Sequence, residues 1–117
     1  MNVENILKRK LRKLIEEPRN GQLYNDIGVI LYELKDYNNA RNYLCRAREL
    51  SSDNSDVLYN YANALYALSE WNAAATAFIE YLNNKPNDKA AIEKIADLYY
   101  QLGEFDLATR YVCMLAQ

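Results

Sequence analysis

Tyr32, Tyr66 and Tyr100 stand 34 residues apart, and Asn60 and Asn63 lie three apart just ahead of the second of them. A tyrosine offers flat apolar area, a hydroxyl tip and few rotamers to freeze, and an asparagine both donates to and accepts from a backbone amide. That is chemistry for recognition rather than for making bonds. Catalysis finds little material. The chain has no histidine, the usual acid–base side chain, and neither Cys45 nor Cys113 has a sequence partner that would form a nucleophile–base pair. Three glycines are too few for a phosphate-cradling loop, and no His/Cys cluster has metal-ligand spacing. The 16 carboxylates are scattered as solvated helix surfaces are. The expectation is a protein that is not an enzyme and holds no cofactor or metal. Asparagine inside a helix is unfavourable, so two of them at i, i+3 on one face point to a binding role. The tyrosine series fits packing or ligand contact equally, and the sequence leaves both open.

The elements that must carry these side chains repeat at the same period. "LKDYNNA" (34–40), "LSEWNAA" (68–74) and "LGEFDLA" (102–108) share one pattern at a spacing of 34. Cut at that period, the chain gives units 21–54, 55–88 and 89–117. Tyr24/Leu58/Ile92, Ile27/Tyr61/Ile95, Gly28/Ala62/Ala96 and Leu31/Leu65/Tyr99 then align as i, i+3, i+4, i+7, one apolar helical face with a small residue inside it. A second small series, Ala40, Ala74 and Ala108, lies on the following helix, so each unit reads as a tight helical hairpin. Asn20, Asn54 and Asp88 precede each first helix, and Asn38, Asn72 and Asp106 precede or begin each second one, all side chains that accept from free helix-start N–H groups. Gly103 fits a left-handed turn between them, which Lys35 and Ser69 replace in the other units. Pro18 and Pro86 stop helices at equivalent places. Residues 3–17 occupy the register of one more helix, with Val3, Leu7, Leu11 and Leu14 as its apolar face and Ile6 and Ile15 beside it. About seven helices and no strands are predicted.

A 34-residue helix–turn–helix period with Gly28/Ala62/Ala96, the aromatic series Tyr37/Trp71/Phe105, Ala40/Ala74/Ala108 and Pro86 resembles the tetratricopeptide repeat, over residues 21–117. The resemblance implies an all-α, right-handed superhelical solenoid of antiparallel helix pairs, forming one domain over 1–117. Within it, 1–20 is an N-terminal capping helix, 21–54 the first repeat, 55–88 the second, and 89–117 a third that is incomplete at its C-terminal end. It also implies that the first helices line a concave groove for a peptide or helix of a partner protein. By register the groove residues are Asn25, Tyr59 and Glu93; Asp26, Asn60 and Lys94; Val29, Asn63 and Asp97; and Tyr32, Tyr66 and Tyr100. Repeats that clamp the C-terminal carboxylate of heat-shock chaperones use two lysines, an arginine and two asparagines at set places. Here those places hold Asn25, Val29, Asn60, Ala90 and Lys94, one match and one near match, beside Asp26, Asp56, Glu93 and Asp97. A neutral or basic ligand is the expectation.

Charge supports that direction. Residues 1–20 carry Lys8, Arg9, Lys10, Arg12, Lys13 and Arg19 against Glu4, Glu16 and Glu17, a net +3, within a chain of net −2, so the remainder is −5. An acidic body argues against nucleic acid. The basic run "KRKLRK" (8–13) is interrupted by leucine at helical spacing and reads as the solvated face of a packed helix, with lipid headgroups or the acidic groove of a second copy as lesser readings. No segment has the length of a membrane span or the form of a secretory signal, and the two cysteines, 68 residues apart, read as free thiols, so a cytoplasmic protein is expected. The third unit lacks a polar closing helix, which leaves self-association through the C-terminal end as one arrangement. Three functions fit: an adaptor or chaperone-like interaction module, the N-terminal repeat domain of a larger enzyme such as a glycosyltransferase, or a small secretion chaperone.

Overall fold

The computed structural model describes residues 2–117, which form seven helices: α1 (Val3–Glu16), α2 (Gly21–Glu33), α3 (Tyr37–Leu50), α4 (Ser55–Ala67), α5 (Trp71–Asn84), α6 (Lys89–Gln101) and α7 (Phe105–Leu115). They stack as hairpins α2–α3, α4–α5 and α6–α7 behind α1, giving a body of 48 × 25 × 23 Å in which each hairpin touches only its neighbours. The first helix of each hairpin starts where the sequence places it. Asn20 accepts from the Leu23 amide at 3.1 Å, Asn54 from the Asp56 and Val57 amides, and Asp88 from the Ala91 amide at 3.2 Å.

The second helices begin beside the residues expected to precede or begin them, with the N-cap two residues earlier. Their N-caps are Asp36, Glu70 and Glu104, and Asn38, Asn72 and Asp106 lie inside the first turn. Only Asp36 caps with its side chain, accepting from the Asn39 amide at 3.4 Å. The reason lies in the turn. Leu34, Leu68 and Leu102 end the first helices, and Lys35, Ser69 and Gly103 follow at φ 65°, 60° and 78°. The next amide then reaches back five residues, Asp36 to Leu31 at 2.9 Å, Glu70 to Leu65 at 3.0 Å and Glu104 to Tyr99 at 2.8 Å. This is a Schellman closure, which uses two residues and hands the third to the next helix as its cap. The geometry is the same whether glycine, lysine or serine occupies the left-handed position.

Close approach within the hairpin rests on the small residues. A Cβ added to Gly28 would stand 2.5 Å from Leu44 Cγ and 3.4 Å from the Ala40 carbonyl oxygen. One apolar cluster joins Ile27, Leu31, Ala40, Leu44 and Ala64; a larger one is centred on Phe78, with Ala62, Leu65, Ile92, Ile95 and Leu98 around it. Helix α1 adds Leu7, Leu11 and Leu14 to the first cluster and is held by Lys10 Nζ to Asp26 Oδ2 at 3.2 Å. Ile15 departs from the expected face: it is 82% exposed, because it lies about 100° round the helix from Leu14, on the side away from Ile6 and Lys10. Val3, in the first turn, is also exposed. Cys45 and Cys113 are free thiols.

Candidate functional site

Helices α2, α4 and α6 bring most of the groove residues together, and they do so by bonding to one another. Asn60 Nδ2 donates to Asn25 Oδ1 at 3.1 Å, Lys94 Nζ donates to Asn63 Oδ1, and the Tyr66 hydroxyl donates to Asp97 Oδ2. Asn25 is thereby a buried, satisfied amide rather than an open contact residue. Lys94 Nζ also sits 5.5 Å from the Tyr59 ring centroid, 5.7 Å from Tyr66 and 5.6 Å from Phe78, an ammonium among three aromatic faces. Burial in that setting pushes the Lys94 pKa down. The hydrogen bond to Asp97, with burial second, pushes the Tyr66 phenol up to about 12.

The tyrosine series is anchored locally. Tyr32 meets Tyr37 edge-on with centroids 5.2 Å apart, Tyr66 meets Trp71 at 5.8 Å, and Tyr100 meets Phe105 at 5.3 Å. Each rung therefore packs against the aromatic of the turn that follows it, the same contact three times. Neither partner is a neighbour on a helix, since the turn lies between them, so helical spacing alone gives no sign of the pair. Tyr59 packs on Phe78 and Tyr81, and the Tyr81 hydroxyl donates to Asp88 Oδ2 at 2.6 Å, a bond sequence reasoning missed. Burial, then Asp88, raises the Tyr81 pKa; the same bond, with backbone donors from Ala91 and Ala90, holds the Asp88 carboxyl below its ordinary range. A smaller clue existed: Tyr81 stands seven residues before an expected cap.

Open surface remains beside this network. Val29, Tyr32, Glu33, Leu44, Asn60 and Asn63 line a cavity of about 170 Å³ between the first two hairpins. Among the described residues, Asn60 Oδ1 and Asn63 Nδ2 take no bond, leaving one acceptor and one donor of the kind a peptide backbone matches. Asp26, expected among the groove acids, is paired with Lys10 and Gln22. Glu93 is exposed, and Tyr100 lies at the far end, 63% exposed. No group of three or more His, Cys, Asp or Glu that could hold a metal ion occurs among the described residues.

Comparison with known proteins gives consistent matches. The chain is 27% identical over 101 residues to the RNA polymerase-associated protein CTR9 of Caenorhabditis elegans, covering 85% of this chain and 9% of that protein. It is 28% identical over 108 residues to the inactive TPR repeat-containing thioredoxin TTL3 of Arabidopsis thaliana, covering 92% of this chain and 16% of that one. The chain thus spans less than a fifth of the length of these curated relatives. Among solved structures it superposes on MamA (AMB-1) with a TM-score of 0.87 at 23% identity, over 92% of this chain and 59% of that one, which shows the shared solenoid fold. PilF of Pseudomonas aeruginosa matches with a TM-score of 0.78 at 27% identity, over 94% and 50% of the two chains. A family profile described as tetratricopeptide repeat matches residues 31–95, more than half of the sequence. Period, paired helices and profile agree: the chain belongs to the tetratricopeptide repeat family.

Proposed function

We propose that this chain is a protein-interaction module, an adaptor or chaperone-like protein, whose first-helix face binds an extended segment or helix of a partner protein. The observation that carries this is the cavity between the first two hairpins, walled by Val29 and Tyr32 and edged by Asn60 and Asn63, each with one amide atom unengaged among the described residues. An apolar socket beside a donor and an acceptor suits a peptide that inserts one small side chain and pairs its backbone. Glu33 on the same rim, with Glu93 and Asp97 further along, favours a neutral or basic segment over an acidic one. The acidic body supports a protein ligand rather than a nucleic acid. No helix among the described residues is long and apolar enough to cross a membrane, and two free thiols suit a reducing compartment, which supports the reading of a cytoplasmic protein. The readings as part of a glycosyltransferase or as a secretion chaperone draw no support from the residues of the site.

The test is affinity capture from source lysate with the wild-type chain and a Val29→Arg/Asn63→Ala variant whose helical circular dichroism is unchanged. Arginine at position 29 fills the cavity, and alanine at 63 removes the amide. Partners captured by wild type should be lost from the variant; identical captured sets would remove the groove from consideration.

A further inference from the structure

Ile15 is the most exposed large apolar side chain among the described residues, at 82%. Its neighbours are bases. Lys8, Arg12 and Ile15 fall at i, i+4 and i+7, one stripe along α1, and Arg19 follows in the turn, all of them open to solvent. Among the described residues, Arg12 and Arg19 pair with no carboxylate. Lys8 meets Glu4 at 3.7 Å, a pair of largely exposed side chains that contributes little. On the other flank Arg9 and Lys13, one turn apart, line a depression of about 390 Å³ that α1 shares with α2, together with Ile6 and Leu23. The outer face of a helix that meets only water carries polar side chains. Here an isoleucine stands among cations.

The charge of the chain divides at the same place. Residues 1–20 carry net +3 within a chain of net −2, so an anionic surface attracts the α1 end and repels the rest. Among anionic surfaces, nucleic acid would use the cations and leave Ile15 in water, whereas a bilayer sets headgroup phosphates beside an apolar layer and matches both. Long basic side chains around a short aliphatic one suit that boundary. We propose that α1, while packed on the first hairpin, rests on an anionic lipid surface, with Ile15 at the headgroup–acyl boundary and Lys8, Arg12 and Arg19 against lipid phosphates. Glu4, Glu16 and Glu17 share the helix and limit the attraction, which makes the contact weak and reversible. The site is separate from the groove, and α4 and α6 stay open to a partner. A second copy of this chain is a poorer occupant, since its Asp26, Glu70, Glu80 and Asp97 carboxylates are already engaged.

The test is co-sedimentation of the full chain with vesicles of phosphatidylcholine alone or with about 30% phosphatidylglycerol, at low salt. Binding to the anionic vesicles alone is expected, and its loss at about 0.5 M salt. Ile15→Ser should weaken it about fivefold, and Arg12→Glu/Arg19→Glu about tenfold or more. All three side chains are exposed, so both variants should fold, which circular dichroism checks. No binding up to about 1 mM lipid overturns the proposal. Equal binding to neutral vesicles does the same. Binding that is lost with the two arginines but indifferent to Ile15→Ser also overturns it, because the face then holds anions and not a bilayer. So does a dimer in sedimentation that Arg12→Glu/Arg19→Glu dissociates, which assigns the face to a second copy.

Discussion

The junction between the first and second hairpins and the junction between the second and third use equivalent positions and different chemistry. The first is plugged by Leu44 and edged with ion pairs, Arg41 to Glu70 at 2.5 Å and Arg48 to Glu80 at 2.9 Å. The second is plugged by Phe78, and its edges are phenols: Tyr66 to Asp97, Tyr81 to Asp88, and Lys94 among Tyr59, Tyr66 and Phe78. The positions of Arg41 and Arg48 hold Ala75 and Leu82, both buried, in the second hairpin. One fold thus tolerates an ionic seam and an aromatic seam, because the helix spacing is set by the small residues and the plug, while the rim needs only to be satisfied. The difference teaches that the two seams should answer to different solution conditions.

The largest effect should come from the plugs. Phe78→Ala is expected to remove about 3–5 kcal/mol and Leu44→Ala about 2–5 kcal/mol, since both leave a cavity under a fully buried side chain. Denaturant unfolding measures the loss, and hydrogen exchange locates it: Phe78→Ala should loosen α6 and α7 while α2 and α3 stay protected. A loss below about 1 kcal/mol for Phe78→Ala would mean that the seam repacks, and the contrast would fail.

Alkaline pH should act mainly on the aromatic seam. Tyr66, raised to about 12, and Tyr81, also raised, keep their protons longer folded than unfolded. The stability they contribute is fully present below the unfolded phenol value near 10 and is lost as pH climbs through the folded one. Lys94 runs the other way. Its folded pKa is lowered, so the unfolded chain binds more protons in the window below the unfolded lysine value, and stability rises with pH there. Thermal melts of wild type and Tyr66→Phe above pH 10 should show a shallower decline for the variant, by roughly 1 kcal/mol after solvent screening of a half-buried group. Equal slopes would remove Tyr66 from the account.

Salt should produce the smallest change, and on the ionic seam alone. The paired side chains are 30–43% exposed, so each pair contributes under about 1 kcal/mol. Glu70→Gln and Glu80→Gln should each cost that little at low ionic strength and nearly nothing at about 1 M salt. An effect that salt leaves intact would reassign Arg48 to its contact with the Tyr61 ring, 5.8 Å away.

Much of this architecture is legible in the sequence, and the parts that are not share a cause. The period, the helix hairpins, the caps at Asn20, Asn54 and Asp88, and the need for a small residue at Gly28 follow from local spacing. The caps at Asp36, Glu70 and Glu104 do not, because residue preference ranks Asp36 level with Asn38 and Glu70 below Asn72, whereas the closure of the preceding helix decides the position. Lys35 and Ser69 give no hint of a left-handed backbone. Asn60, Asn63, Lys94 and Asp97 were readable as one face, yet their pairing is not: the partners lie 31 or 35 residues apart, an offset set by how hairpins slide along one another. The balance between packing and ligand contact in the tyrosine series is likewise a matter of what each turn supplies, and here every turn supplies an aromatic ring.

Among the described residues, no helix of the first hairpin reaches the third, so the molecule behaves as a short spring of three coils joined at two seams. Its bend is the sum of two angles, each set by a buried plug, so a change at one seam alters the curvature of the whole body without passing through the other.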